Sequence, residues 1–251
     1  MKIIEPSYEV TYPNIKDPEA VKKIYQQIEA AGRTCYKSED KITDLSAARF
    51  VGAMVRNHHE AMLEHASMTV RFIVDRGVTH EAVRHRLSSF AQESTRYCNY
   101  SQDKFGSEIT VIEPVFYKGI PNEDKKLAQK ILSETAHFDP EDKRISDELL
   151  RRYAAWWNDC SRAEQSYFLL LRLGATPEEA RAVLPISLKS EIVWTANMRE
   201  WRHIFKLRAA GQTGRPHPQI VQVMVPLLEE CQETMPELFG DISIPEEYAF
   251  I

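Results

Sequence analysis

The sequence predicts an α+β fold: a small, mostly antiparallel sheet with several packed helices, and a helical excursion in the middle of the chain. Helical patterns outnumber strand patterns along the 251 residues. The two kinds do not alternate regularly, as a doubly wound sheet would require. Neither GxGxxG nor GxxxxGK[ST] occurs, so any nucleotide must be held by side chains and helix ends.

The elements follow in order. Asp17 to Ala31 reads as a helix, with Pro18 in its first turn and Val21, Ile24, Tyr25 and Ile28 on one face. Thr43 to Arg56 reads as a second, capped by Thr43, with Leu45, Ala48, Val51 and Val55 inward. Ser67 to Asp75 alternates Met68, Val70, Phe72 and Val74 with Thr69 and Arg71, the period of a half-buried strand. Thr79 can cap a short helix through Leu87, and Ile109 to Phe116 suggests a second strand. The charged stretch from about 121 to 147 holds few large apolar groups and reads as a peripheral excursion from a single domain spanning 1–251. Leu149 to Leu173 is a long helix stopped by Gly174, and Thr176-Pro177-Glu178-Glu179 starts a short one that Pro185 ends. Ser187 to Thr195 reads as a strand, followed by helices from about Asn197 to Ala210 and Pro216 to Met235.

A length of 251 residues is enough for a substantial buried core. The net charge of −5 disfavours a nucleic-acid binder, although a small anion held by local arginines remains open. No apolar run is long enough to span a bilayer and no leader pattern follows Met1, so the expected location is cytoplasmic, away from membranes. Cys35, Cys98, Cys160 and Cys231 are too widely spaced for a metal cluster or redox dithiol and read as reduced thiols.

The segment Arg84-His85-Arg86-Leu87-Ser88-Ser89-Phe90-Ala91-Gln92-Glu93-Ser94-Thr95-Arg96-Tyr97 carries the most chemistry. On a helix, Arg84 and Arg86 project roughly 200° apart, so one partner cannot easily neutralise both. With Arg96 they offer guanidinium forks suited to phosphate oxygens, and Ser94 and Thr95 add hydroxyl donors. Read alone, such a cluster is more often a solvated, ion-paired face. Farther on, Arg199 and His203 are four apart, and Asn197 and Arg208 eleven apart, close to three helical turns. These polar groups fall near one face of the helix, which by itself could equally be a salt-bridged amphipathic surface.

Arg-His-Arg, seven residues, then Ser resembles the signature of flavin-dependent thymidylate synthases, and Arg84 through Ser94 fits it. Four other segments agree. His59-Glu60-Ala61-Met62-Leu63-Glu64-His65 resembles the family's His-x-Ser-x-x-Glu-His, and Arg33-Thr34-Cys35-Tyr36 its Arg-x-Ser/Cys-Tyr. Arg181-Ala182-Val183-Leu184-Pro185 resembles Arg-x-x-Leu-Pro, and Thr195 to Glu200 with His203 to Arg208 resembles Thr-x-Asn-x-Arg-Glu-x-x-His-Phe-x-x-Leu-Arg. The matches run in the family's order from about residue 31 to 225, interrupted from about 101 to 175.

The resemblance implies reductive methylation of dUMP to dTMP on bound FAD, with methylenetetrahydrofolate as carbon donor and NADPH as reductant. It implies a homotetramer whose active sites combine residues of several subunits. By position, Arg84, Gln92, Glu93, Ser94, Thr95, Arg96, Arg181 and Glu81 would contact dUMP, and Arg208 would be catalytic, polarising the uracil. Cys35, His59, Ala61, Glu64, Arg84, His85, Arg86, Gln92, Asn197, Arg199 and His203 would hold or support FAD.

This chain departs from the family at three places. Ala61 replaces a common Ser or Thr and has no side-chain hydrogen bond to give; Ala91 replaces a common Asn. Glu81 replaces a common Gln, and its carboxylate beside a phosphate site needs a cation to pair with. Rival readings are few. His58, His59 and His65 fail the zinc pattern HExxH because Leu63 stands four after His59, and no metal is expected. Cys98 near the basic cluster could be an activated thiol. Two further rivals are a nucleic-acid module using Arg84, Arg86, Arg96 and Tyr97, and a relative that methylates another uracil nucleotide such as UMP.

Overall fold

A computed structural model describes residues 1–134, 138–140, 142–145 and 147–248. It carries the small sheet and many helices that the sequence predicts, grouped in two compact units. One comprises Ser7–Ile73, Val78–Gln92 and Glu191–Ile251; the other comprises Met1–Pro6, Val74–Gly77 and Glu93–Ser190.

The larger unit is built on a four-stranded sheet of β2 (Ser7–Tyr12), β3 (Ser67–Asp75), β4 (Ser88–Gln92) and β6 (Lys189–Asn197), in the order β2-β3-β6-β4. β2 pairs antiparallel with β3, and β4 antiparallel with β6, which sets Phe90 opposite Trp194 and Ser88 opposite Ala196. The alternation seen in the sequence is realised: Met68, Val70, Phe72, Ile192, Trp194 and Ala196 are buried, while Thr69 and Arg71 are half-exposed. The same unit holds α1 (Pro18–Tyr36), α2 (Ser46–Arg56), α7 (Met198–Arg208), α8 (Pro218–Thr234) and the short α9 (Pro236–Phe239), with α1 packed on α2 and α7 on α8. A run of rings links the layers, with centroids of Phe72 and Trp194 6.0 Å apart, Trp194 and Trp201 5.3 Å, Trp201 and Phe205 5.6 Å, and Phe205 and Phe239 5.4 Å. Such tilted aromatic pairs each add to the burial of their area.

Helix α1 runs five residues beyond the expected end. Gly32 does not stop it: a Cβ there would fall 2.5 Å from Cζ of Phe50, so the missing side chain lets α2 come close. The terminus is made at Lys37, whose φ of 47° is left-handed. Helix α2 begins three residues later than expected, because Thr43 is not its cap; the Thr43 N–H instead donates to Oγ of Ser46 at 2.9 Å.

The smaller unit pairs β1 (Lys2–Ile4) in parallel with β5 (Thr110–Ile112) and adds α4 (Asn122–Glu134), α5 (Glu148–Arg172) and α6 (Pro177–Ala180). Ile120, Ala128, Ile131 and Leu132 pack with Ile145, Leu150 and Tyr153 as one cluster; Tyr100, Ile109, Val111, Cys160, Tyr167 and Leu188 form another. Of the stretch expected as an excursion, residues 135–137, 141 and 146 lie outside the described residues. Asp147 caps α5 by accepting from the Leu150 N–H at 2.8 Å, and Thr176 with Glu179 forms the reciprocal capping box of α6.

Two sequence expectations are corrected. The strand expected over Ile109 to Phe116 is only Thr110–Ile112, since Pro114 has no N–H to give the ladder. The helix expected from Thr79 through Leu87 is α3 (Arg76–Ala82), and the chain has become β4 by Ser88. Arg84 and Arg86 therefore lie on the connection, and the 200° helical projection does not apply to them.

Candidate active site

The site in the larger unit grows from the junction of β6 and α7. Asn197 ends the strand and caps the helix, its Oδ1 accepting from the Glu200 N–H at 2.8 Å. From that fixed point the helical repeat throws Arg199 and His203 to the exposed side and buries Glu200, Trp201, Ile204 and Phe205. Between the exposed side and the turn Glu60–His65 opens a cleft of about 520 Å³, lined by Glu60, Glu64, Leu87, Asn197, Arg199, Glu200, His203 and Lys206. The acidic wall is neutralised internally: Glu64 pairs with Arg199, and Glu60 lies 3.4 Å from Arg202 and 3.7 Å from Lys206.

The last turn of α7 brings Arg208 to the connection before β4. Its Nε donates to Nε2 of His85 at 3.1 Å, and its Nη1 donates to Oε2 of Glu81 at 2.9 Å. Glu81 thus has the cation its position requires. Burial, followed by the charges of Arg208 and His203, pushes His85 down to about 4. Burial also raises Glu200 above the ordinary carboxylate range. Arg84 and Arg86 are exposed on either side of His85, and neither side chain holds a carboxylate among the described residues. Gln92 donates to Oγ1 of Thr79 at 2.9 Å.

The remaining expected residues of this unit gather at the end of α1. The Tyr36 hydroxyl is 3.2 Å from Nδ1 of His59, Cys35 Sγ is 4.0 Å from Sδ of Met62, and Ala61 is exposed nearby in sequence. Among the described residues, no three His, Cys, Asp or Glu side chains gather as a metal site would need.

The smaller unit has its own cationic group. Thr95 Oγ1 accepts from Nη1 of Arg181 at 3.5 Å, while Nε of Arg96 is 3.1 Å from Glu178 and its guanidinium lies 5.3 Å over the Tyr97 ring. Ser94 closes the turn, its Oγ accepting from the Arg96 N–H at 3.3 Å. Glu93 points elsewhere, pairing with Lys189 at 2.9 Å and accepting from Tyr100. Burial raises the Cys98 thiol above its ordinary value, with Glu93 adding to the effect, so the basic neighbours do not activate it.

Comparison with known proteins decides the family, since residues 19–237 match the thymidylate synthase complementing protein family. The chain belongs to that family. It is 32% identical over 220 residues to a flavin-dependent thymidylate synthase of Corynebacterium efficiens, covering 86% of this chain and 79% of that one. It is 33% identical over 220 residues to the Corynebacterium glutamicum protein of the same name, with the same coverage. In fold it is similar to a UMP/dUMP methylase of Streptomyces cacaoi solved with 5-Br dUMP, at a TM-score of 0.64, 22% identity and 96% coverage of both chains.

For a member of the thymidylate synthase complementing protein family, the sequence left several neighbours unread. Glu60, Lys206 and Leu87 line the cleft, Glu200 faces His85, and Glu178 pairs with Arg96. Only Glu200 carried a signal, as the acidic residue beside Arg199 in a matched motif. The others become visible only once the chain is folded.

Proposed function

We propose that this protein is an FAD-dependent thymidylate synthase that reductively methylates dUMP to dTMP. The observation that carries the reading is Arg208: α7 delivers its guanidinium to His85, inside the signature segment Arg84 to Ser94, and to Glu81 just before it.

The residues present suit FAD. Pyrophosphate needs unspent cations, and Arg84 and Arg86 are exposed without carboxylate partners among the described residues. The ring system needs a partly apolar wall with donors at its edge, and the cleft offers Leu87 with Asn197, Arg199 and His203. Cys35, His59, Ala61, Glu64 and Gln92 are proposed to support it, Ala61 through its backbone alone.

When bound, FAD reduced by NADPH supplies hydride, and methylenetetrahydrofolate supplies the carbon. The chain's own part is electrostatic and positional. Ser94, Thr95, Arg96 and Arg181 supply the donors that a nucleotide phosphate needs. The guanidinium of Arg208 beside a uracil carbonyl favours loss of the ring N–H proton, which makes C5 nucleophilic. No thiol is needed for this route, in keeping with burial of Cys160 and Cys231 and the raised Cys98. A homotetramer with active sites drawn from several subunits and a cytoplasmic location belong to the same proposal; among the described residues no helix is long and apolar enough to cross a membrane.

The test starts with the absorption spectrum of purified protein given FAD, which should show flavin bands. Tritium release from C5-labelled dUMP with folate and NADPH should follow, with UMP run in parallel. Arg208→Ala should lower turnover about 100-fold or more, the usual size of a lost preorganised donor. A colourless protein that takes up no FAD, or near-normal turnover in Arg208→Ala, would overturn the reading.

A further inference from the structure

Two charged residues that line the cleft, Glu60 and Lys206, take no part in the reaction proposed above. Glu60 is the point where three cations of α7 meet. Nε of Arg202 donates to its Oε1 at 3.4 Å, Nζ of Lys206 lies 3.7 Å from the same oxygen, and Nε of Arg199 lies 3.9 Å from Oε2. The first is a long hydrogen bond; the other two are approaches of charge to charge.

The three cations differ in how far they are already spent. Arg202 is buried and holds Asp241 through two bonds of 2.7 Å, and Arg199 pairs with Glu64. Lys206 approaches Glu60 without a hydrogen bond, and the two side chains are 27% and 20% exposed. One positive and one negative charge thus stand on the cleft wall, loosely coupled. Surrounding protein makes the effective dielectric there lower than that of water.

Charge in that place acts on redox balance. In the reaction proposed above, hydride passes from NADPH to the flavin ring, so the ring gains one negative charge and NADP+ departs with the positive one. A fixed cation near the ring favours the reduced form, and a fixed anion disfavours it. We propose that Glu60 and Lys206 are an opposed pair of charges that sets how strongly the cleft prefers reduced over oxidised FAD. The inference rests on the placement of the flavin ring in this cleft. Either charge can be removed without orphaning its neighbours. Without the ammonium, Glu60 keeps Arg202, and Glu60→Gln keeps an oxygen to accept from Nε of Arg202.

The test is the reduction potential of FAD bound to the full-length protein, read by dye equilibration beside the FAD content and Tm of each variant. Lys206→Met should weaken the preference for reduced FAD about three- to tenfold, the reach of a partly exposed charge, which is a fall of about 15–30 mV for a two-electron couple. Lys206→Gln stands in should Met unsettle the fold. Glu60→Gln should strengthen the preference by a similar factor and raise the potential. The double variant should return close to the unaltered protein, and Lys206→Arg should stay there throughout. Loss of a merely structural ion pair would instead move both single variants the same way and show first in Tm. Unmoved potentials, or shifts of one sign in both single variants, overturn the proposal. Should the unaltered protein take up no FAD, the functional reading falls and takes this one with it. FAD that binds but does not answer to the two charges sinks this proposal alone.

Discussion

Oε2 of Glu81 lies 2.9 Å from Nη1 of Arg208, so the carboxylate that replaces a common amide at this position spends its charge on an arginine of the same unit. Both side chains are partly exposed, at 28% and 21%, and the pair is correspondingly weak. Glu81→Gln keeps an oxygen to accept from Nη1 but removes the negative charge. The expected outcome is a KM for dUMP lowered about two- to fivefold at low salt, with the gain shrinking as salt rises. Steady-state kinetics at two ionic strengths checks it, and an unchanged or raised KM would count against charge restraint.

Arg202 is 1% exposed and serves as a bracket for the C-terminal part of the larger unit. It forms two bonds of 2.7 Å to Asp241, donates to the Leu238 carbonyl, and lies 3.4 Å from Glu60. Removing one member of such a network leaves buried groups unpaired, at a cost of about 3 kcal/mol. Arg202→Ala should lower Tm by about 6–12 °C for a chain of this size. Thermal unfolding within 2 °C of the unaltered protein would contradict that weight.

The pH dependence of stability should carry the mark of His85. Its folded value, about 4, lies below the ordinary 6.5 because burial and the Arg208 charge oppose protonation. Below pH 6.5 the unfolded chain takes up a proton that the folded chain refuses, so this contribution is complete above pH 6.5 and is lost as pH falls toward 4. The full span is about 3 kcal/mol at 1.36 kcal/mol per unit. Denaturant unfolding at pH 7.5 and pH 5 should show a smaller drop in His85→Gln than in the unaltered chain. Equal drops would mean that the imidazole does not titrate differently in the two states.

Arg181 and Arg96 should separate binding from chemistry. Each is an exposed residue of the smaller unit, Arg181 beside Thr95 and Arg96 beside Glu178. Loss of a charge-assisted bond to phosphate is worth about 1.5–3 kcal/mol, roughly ten- to a hundredfold. Arg181→Ala and Arg96→Ala should raise the KM for dUMP by that factor, with kcat changed far less. A fall in kcat at unchanged KM would move these residues out of the phosphate role.

How far the sequence reaches depends on the element. β3 was legible to the residue, Ser67 to Asp75, because one face is buried throughout and the side-chain period is two. β4 was not. Ser88-Ser89-Phe90-Ala91-Gln92 contains one large apolar residue, and its ladder with β6 rests on backbone groups that no side-chain pattern reports. The site divides along similar lines. Arg199, His203 and Arg208 were readable from helical spacing and a matched motif, and α7 does place Arg199 and His203 on its exposed side. That Glu81 answers Arg208, or that Glu200 faces His85, depends on separations of 127 and 115 residues, which only folding closes.

Asn197 is both the last residue of β6 and the cap of α7, with no loop between ladder and helix. The cleft-lining side chains of α7 consequently inherit their bearing from the sheet itself, like fittings bolted straight to a chassis. Natural drift or deliberate engineering that sought to reshape the cleft would find little freedom at this joint, where any change of tilt must disturb strand pairing. Adjustment is cheaper on the opposite wall, the turn Glu60–His65, whose backbone belongs to no sheet.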